Sequence, residues 1–560
     1  MNQPTPAIVA QDAVRRLPRW ALLVFCAAYV VAGFVGREPW KSADMTTLGY
    51  IFELAQGNSS WLSPTLAGVP PEFDALLPYW LGAWAMQLGG GWLPLDFAAR
   101  IPFALLLVLT LVATWYGVYS LARSPGAQPV PFAFGGEALP TDYARAMADG
   151  GLLALVACLG LAQLSHETTP SLAQLAFTAL TFYGLAAMPY RRALAGGATL
   201  AGLAGLALSG APTLAMLFAA GGAVVTLLDP PADAEGQTHP MRWAAFIVVA
   251  ALAVALLAWV LDAWRWRIGI VADGWQPRAQ LRLIAWFTWP AWPLALWTLW
   301  RWRMRLVSRH VALPLWFAVV ALASASTTSV SDRSLLLGLP AFATLAAFAL
   351  PTFKRAVSAL IDWFTLLFFS GCALVIWVVW ISMMTGVPPK PAANVARLAP
   401  GFTPTFQLVA FIAALVGTIA WAWLVQWRAG RHRAAIWKSL VLPAGGMALC
   451  WLLVMTLWLP ALDYARSYVP IVRTVQDHMK DGGCVEVFGL NRGQLAALRY
   501  HGRMELRNAG RTPQCPWLVV SQDYTALVPL NLGPGWETLA TVRRPTDNND
   551  NLHLFRRKGS

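Results

Sequence analysis

Five carboxylates, Glu38, Asp44, Glu53, Glu72 and Asp74, crowd into one stretch, Arg37 to Trp84, of a chain in which only 12% of residues are charged. The stretch follows the first apolar run and is rich in Trp, Tyr, Leu and Phe, the composition of a segment lying in a membrane–water interface. A carboxylate within hydrogen-bond reach of an attacking hydroxyl can take its proton, and acids beside a membrane are rarely idle. Asp44 is the candidate general base. Lys41 and Arg37 beside it are candidates for holding an anion, and Glu72 and Asp74 for binding substrate. The competing role for Asp44 is the N-cap of a helix Met45–Gln56, which Ser42 also suits.

A second set lies far away in sequence. Glu167 sits between His166 and Thr168-Thr169-Pro170, where it would orient an acceptor or position the catalytic loop. Its competing role is a solvated loop acid or a helix N-terminal charge. His166 joins the substrate-binding candidates, although a lone histidine is more simply structural. Arg333 follows Asp332 at the end of an apolar run and is the candidate for gripping a phosphate; its alternative is an interfacial anchor paired with Asp332. Arg265, Arg267, Arg278 and Arg282 cluster in WRWRIGIVADGWQPRAQLR, suited to phosphate or to anionic headgroups. The seven histidines form no HxxxH or HxH pair, and no DxD motif is present. No zinc or other cofactor is therefore expected, while the first-loop carboxylates leave a divalent ion open.

The elements that must carry these residues are transmembrane helices. The chain has 560 residues, 58% of them hydrophobic, and a mean hydropathy of +0.53, which excludes an ordinary soluble protein. Apolar runs of roughly 17–25 residues predict about 13 spans. The first is Trp20–Gly36, a retained helix and not a cleaved signal. Ala75–Leu88 is short and reads as an interfacial helix. Spans follow at Phe97–Leu121, Leu152–Leu164, Leu172–Met188, Ala193–Leu208, Thr213–Leu228, Trp243–Leu261, Leu283–Trp300, Val311–Ala325, Leu335–Leu350, Leu360–Met384, Phe406–Gln426 and Ser439–Leu459. Ser124–Gly150 reads as a loop. Arg15, Arg16 and Arg19 place the N-terminus in the cytoplasm, and later basic clusters keep the alternation. The net charge of +14 then belongs to cytoplasmic turns and lipid phosphates; no basic run with interleaved aromatics supports nucleic-acid binding.

Residues 1–460 thus form a transmembrane domain with an interfacial first loop, 37–96. Residues 461–560 form a small extracytoplasmic α/β domain, with a helix ending near Lys480 and strands at Cys484–Phe488, Trp517–Ser521, Trp536–Val542 and Leu552–Phe555. If that domain is extracytoplasmic, Cys484 and Cys515 pair as a disulfide, whereas Cys26, Cys158, Cys372 and Cys450 are apolar core residues.

The chain resembles the GT-C glycosyltransferases, in particular bacterial lipid A aminoarabinose transferases and protein O-mannosyltransferases. The resemblance rests on Asp44 soon after the first span, the run GYIFELAQGNSSWLSPTLAGVP, PYW at Pro78–Trp80, and Glu167 in SHETTPSLAQLAF. Ser331–Pro351 and the junction LPALDYARSYVP (Leu459–Pro470) also carry it. The chain departs from the family at Met45, where the family often has Glu, and lacks the Lys that aminoarabinose transferases carry near Glu72–Asp74. The resemblance implies a multi-pass protein of the bacterial inner membrane whose active site faces the periplasm. It implies inverting transfer from an undecaprenyl-phosphate sugar to an envelope acceptor (lipid A, glycan or protein), with Asp44 as base. The competing classes are a polytopic transporter or flippase and an inactive GT-C-like scaffold. Transporter sites lie at mid-membrane, whereas the acids here lie in outer loops, which favours the enzyme.

Overall fold

The structure, a computed structural model, describes residues 5–72, 75–230, 239–264, 277–328, 331–429, 435–479, 482–533, 535–547 and 550–558. The first elements are α1 (Arg19–Phe34), α2 (Ala43–Ala55), α3 (Leu77–Gly89), α4 (Leu95–Ala122), α5 (Pro140–Ala157), the single turn α6 (Leu161–Leu164) and α7 (Pro170–Ala187). Every expected span carries helix. Among the described residues, six helices are long and apolar enough to cross a membrane: Leu95–Ala122, Pro240–Val260, Arg309–Thr327, Arg355–Thr385, Leu408–Arg428 and Ile436–Leu457. Shorter apolar helices, including α1, Arg192–Leu208 and Pro212–Leu228, stand beside them.

Four expectations need correction: Leu152–Leu164 is interrupted at Cys158–Gly160, Leu335–Leu350 is interrupted at Leu337-Gly338, and two more depart at prolines. Ser124–Gly150 is not all loop, because α5 starts at Pro140, whose fixed φ and missing N–H suit the first turn. The span expected over Leu283–Trp300 is broken into Pro277–Phe287 and Ala291–Arg301 around Trp289-Pro290. The break frees backbone carbonyls, which in a bilayer must find donors. The Leu159 and Gly160 N–H groups supply them, donating to Trp289 and Phe287 at 3.0 and 2.9 Å.

α5 is buried along nearly its whole length and packs against α4, the helix Leu339–Ala349 and the helix Val441–Leu457. The helix Leu408–Ala429 instead presents Val409, Val416, Ile419 and Trp423 outward, as a hydrocarbon-facing surface would. The C-terminal sheet has the order β2-β1-β3-β5-β4, from β1 (Val485–Phe488), β2 (Leu506–Asn508), β3 (Trp517–Ser521), β4 (Trp536–Val542) and β5 (Leu552–Arg557). β1 runs parallel to β2 and β3, and β5 antiparallel to β3 and β4. The helix Arg492–Tyr500, started by an Asn491–Gln494 capping box, links β1 to β2.

One apolar cluster runs from the bundle into this sheet. Its bridge is α2 against the helix Arg492–Tyr500. Gly49 allows the approach, since a methyl group there would lie 2.5 Å from the Ala496 side chain. Glu53 accepts from Arg499 at 2.5 Å, and Phe52 meets Tyr500 edge-on at 5.3 Å.

Cys484 and Cys515 are disulfide-bonded across a separation of 31 residues. A loop of that size constrains the unfolded tail by about 3–4 kcal/mol. Replacing both cysteines by Ala should expose the tail to limited proteolysis at a lower temperature than wild type, while the spans stay protected.

Candidate functional site

The site grows from the end of the bundle that carries the C-terminal sheet, where the chain leaves α1 and enters α2. Trp40 is almost fully buried there. Its ring has the guanidinium of Arg37 at 4.7 Å and that of Arg466 at 5.0 Å, contacts that use the negative face of the indole. Its indole N–H donates to Asp463 Oδ1 at 2.7 Å, and its backbone bridges to Ser467.

Asp44 lies in the first turn of α2 and does not cap it, as neither it nor Ser42 makes a side-chain cap bond. Its Oδ2 accepts from Arg37 Nη2 at 2.8 Å and from the Trp40 N–H at 3.1 Å. Its Oδ1 accepts from the Thr168 N–H at 2.8 Å. Arg37 Nη2 also donates to the His166 carbonyl at 2.9 Å. One buried ion pair therefore fastens the segment 37–44 to the segment 166–168. Arg100 of α4 donates to the Arg37 carbonyl and so ties the backbone of that residue to α4.

Glu167, held between those two anchored peptides, turns its carboxylate the other way. Oε1 accepts from Gln163 Nε2 at 3.0 Å and Oε2 from Arg333 Nη2 at 2.7 Å. Arg333 is thus paired with Glu167. Asp332 takes the Arg333 backbone N–H, at 2.8 Å, and among the described residues makes no ion pair with the Arg333 guanidinium, so the expected Asp332 side-chain anchor is not formed. The structure thus sets two ion pairs, Arg37–Asp44 and Glu167–Arg333, side by side, joined through the backbone of residues 166–168.

Other expected residues stand elsewhere. His166 is wholly buried between Tyr29, Phe34 and Trp451. Its Nε2 meets the Tyr29 carbonyl at 3.0 Å. A methyl group on Gly33 would strike its ring, so helix and imidazole are fitted to each other. Burial pushes its pKa down to about 4. It reads as a packing residue that fixes the 166–168 peptides, not as a substrate ligand. Lys41 points to the C-terminal domain, where it is ion-paired with Asp547. Glu72 is exposed, and Arg278 and Arg282 lie on an exposed face of the helix Pro277–Phe287. Asp74, Arg265 and Arg267 lie outside the described residues. Among the described residues, no group of three or more His, Cys, Asp or Glu side chains could hold a metal ion.

Sequence reasoning passed over Trp40, Arg100 and Asp463. The signal for Asp463 was its place in LPALDYARSYVP, the junction already singled out for its resemblance. For Trp40 it was a tryptophan flanked by charges, GREPWK, where an exposed ring would be wasted.

The helices, the α/β tail and the loop clasped between them define a polytopic membrane protein of GT-C fold. The chain is similar to ArnT from Cupriavidus metallidurans bound to undecaprenyl phosphate, with a TM-score of 0.60 and 15% identity over 97% of this chain and 99% of that one. It is equally similar to the same protein in the apo state, with a TM-score of 0.59 and 16% identity over 96% and 98% of the two chains. The likeness is one of fold. No family profile matches the chain, and no curated protein matches it in sequence.

Two predictions arise from this geometry. Burial pushes the Asp463 carboxyl up to about 7, against the pull of the Trp40 indole and with Glu38 nearby adding to the rise. An unfolded aspartate titrates at about 3.9, so the folded state holds this proton more tightly. Its contribution to stability is full below the unfolded value and is lost as the pH rises through about 7. Thermal unfolding between about pH 4 and about pH 7 should show this decline, levelling off above it, and Asp463→Asn, which keeps an acceptor for Trp40, should flatten it. Asp44→Asn sets an amide N–H against the donors of Arg37, Trp40 or Thr168. Breaking a buried pair in this way costs about 3–5 kcal/mol, so the variant should melt well below wild type whatever its activity.

Proposed function

We propose that this protein is a membrane glycosyltransferase that moves a sugar from a polyprenyl-phosphate donor to an envelope hydroxyl, with inversion, on the periplasmic side of the inner membrane. The observation that carries the reading is the pairing of two carboxylate–guanidinium couples, Arg37–Asp44 and Glu167–Arg333, at one end of a bundle with the fold of an ArnT crystallised with undecaprenyl phosphate.

The chemistry asks for two things at once. The acceptor oxygen attacks the anomeric carbon and gives its proton to a carboxylate. The bond from that carbon to the phosphate oxygen breaks, and the electron pair leaves with the polyprenyl phosphate. A phosphate leaving group needs no proton but does need fixed positive charge. Arg333, partly exposed and paired with a single carboxylate oxygen, is suited to exchange Glu167 for that phosphate. Asp44 is the proposed base.

A second assignment has a specific observation behind it. Asp44 already accepts three bonds, from Arg37, Trp40 and Thr168, whereas Glu167 Oε1, among the described residues, accepts from one neutral amide. Glu167 as base would leave Asp44 to hold the loop. The pH–rate profile separates the two, because the acid limb disappears only in the variant of the true base.

The test uses purified full-length protein and a panel of radiolabelled undecaprenyl-phosphate sugars, with Asp44→Asn, Glu167→Gln and Arg333→Gln as variants. Wild type should consume one donor, and Arg333→Gln should raise its KM by roughly tenfold or more. If wild type neither binds nor consumes any of these lipids, the glycosyltransferase reading fails.

A further inference from the structure

The C-terminal domain faces the bundle with the edge that open α/β sheets ordinarily offer to ligands. β1 lies between β2 and β3; the connection leaving β1 runs to β2 on one side and that leaving β3 runs to β4 on the other, so the carboxyl ends of β1 and β3 flank a switch point. Here that edge holds another part of the same chain. Arg492 Nε, just beyond β1, donates to the Pro70 carbonyl at 3.0 Å. Gly493 lies against the Ser42 carbonyl.

The next layer is charged. Asp550 is almost enclosed and accepts from Gln494 Nε2 and from Arg544 Nη1, each at 2.6 Å. Arg544 is nearly fully buried. Its Nη2 donates to the Ala465 and Ser467 carbonyls at 3.1 and 2.9 Å, and its guanidinium lies over the Tyr468 ring at 4.8 Å. Ser467 is the residue that bridges to Trp40. Lys41 is ion-paired with Asp547 and stands 3.9 Å from Asp550, while its N–H donates to the Arg466 carbonyl at 2.9 Å. α2 begins two residues later, with Asp44 in its first turn.

We infer that the C-terminal domain is a positioning arm of the transfer site: Arg544 fixes Asp550, Asp550 and Asp547 hold Lys41, and Lys41 sets where Asp44 stands. The inference rests on the transferase reading above for its functional consequence. Lys41 is then a positioning residue and does not grip the donor phosphate. A misplacement of about 1 Å at a reacting group costs about a hundredfold in rate, so a salt bridge remote from the donor can matter to kcat while leaving donor affinity alone.

Charge reversal tests this in the full-length protein. Lys41→Glu should lower kcat by about 10- to 100-fold with donor KM nearly unchanged. Lys41→Glu combined with Asp547→Lys should restore kcat to within about threefold of wild type, since the two side chains couple directly. Lys41→Gln gives a milder form of the same loss should the reversed charge prevent folding. Hydrogen exchange gives a readout independent of turnover: the Met45 to Leu48 amides should exchange faster in Lys41→Glu or Lys41→Gln, and Asp547→Lys should return the Lys41→Glu rate to wild type. A rise in KM that Asp547→Lys does not rescue, or exchange in α2 that none of these changes moves, overturns the positioning role. Absence of turnover in wild type counts against the transferase reading alone, and hydrogen exchange then still decides whether the arm positions α2.

Discussion

A carboxylate and a guanidinium with essentially no contact with water, Asp44 and Arg37, hold this end of the molecule together. Each would be costly to bury alone, and their mutual attraction offsets that cost only when the remaining bonding capacity is used. On the Asp44 side two backbone N–H groups from different parts of the chain use it. On the Arg37 side Nε and Nη1 find no hydrogen-bond partner among the described residues, and the face of Trp40 takes up part of the charge. The pair does more than stabilise: it decides which loops lie side by side, and thereby that Glu167 and Arg333 meet beside it.

The aromatic residue gives the arrangement its directionality. Trp40 touches α1's exit through Arg37, the junction helix through Arg466 and Asp463, and α2 through its own N–H to Asp44. A side chain with one donor and two broad faces, together with the backbone N–H of the same residue, can satisfy three neighbours at once without adding a buried charge. The C-terminal sheet contributes in the opposite manner, through charged side chains on a short turn, Arg544, Asp547 and Asp550.

Much of the fold was legible because burial in lipid imposes length and polarity on each segment. The long apolar runs became helices at the expected places, and strands such as Trp517–Ser521 and Trp536–Val542 matched residue for residue. Two of the misread segments involve proline. Pro140 opens a helix inside a stretch whose composition suggests a loop, and Trp289-Pro290 divides an apolar run that reads as continuous. Within the site, Asp44, Glu167 and Arg333 could be selected by residue type and position. Their partners could not, because nothing local in the sequence tells Arg333 to choose Glu167 over the adjacent Asp332, or Lys41 to choose Asp547 over nearby Asp44. Those choices belong to contacts between segments separated by more than a hundred residues.

The Lys41–Asp547 contact joins residues 506 positions apart. During synthesis the segment carrying Asp44 emerges among the first and must wait for almost the whole chain before its last partners exist. Loop closure over such distances is slow, and incomplete intermediates are the usual consequence in large chains. A nascent or truncated chain can therefore carry its spans and still lack the contacts that complete the segment around Asp44. The order of translation itself leaves this end of the molecule incomplete until the final strands are in place.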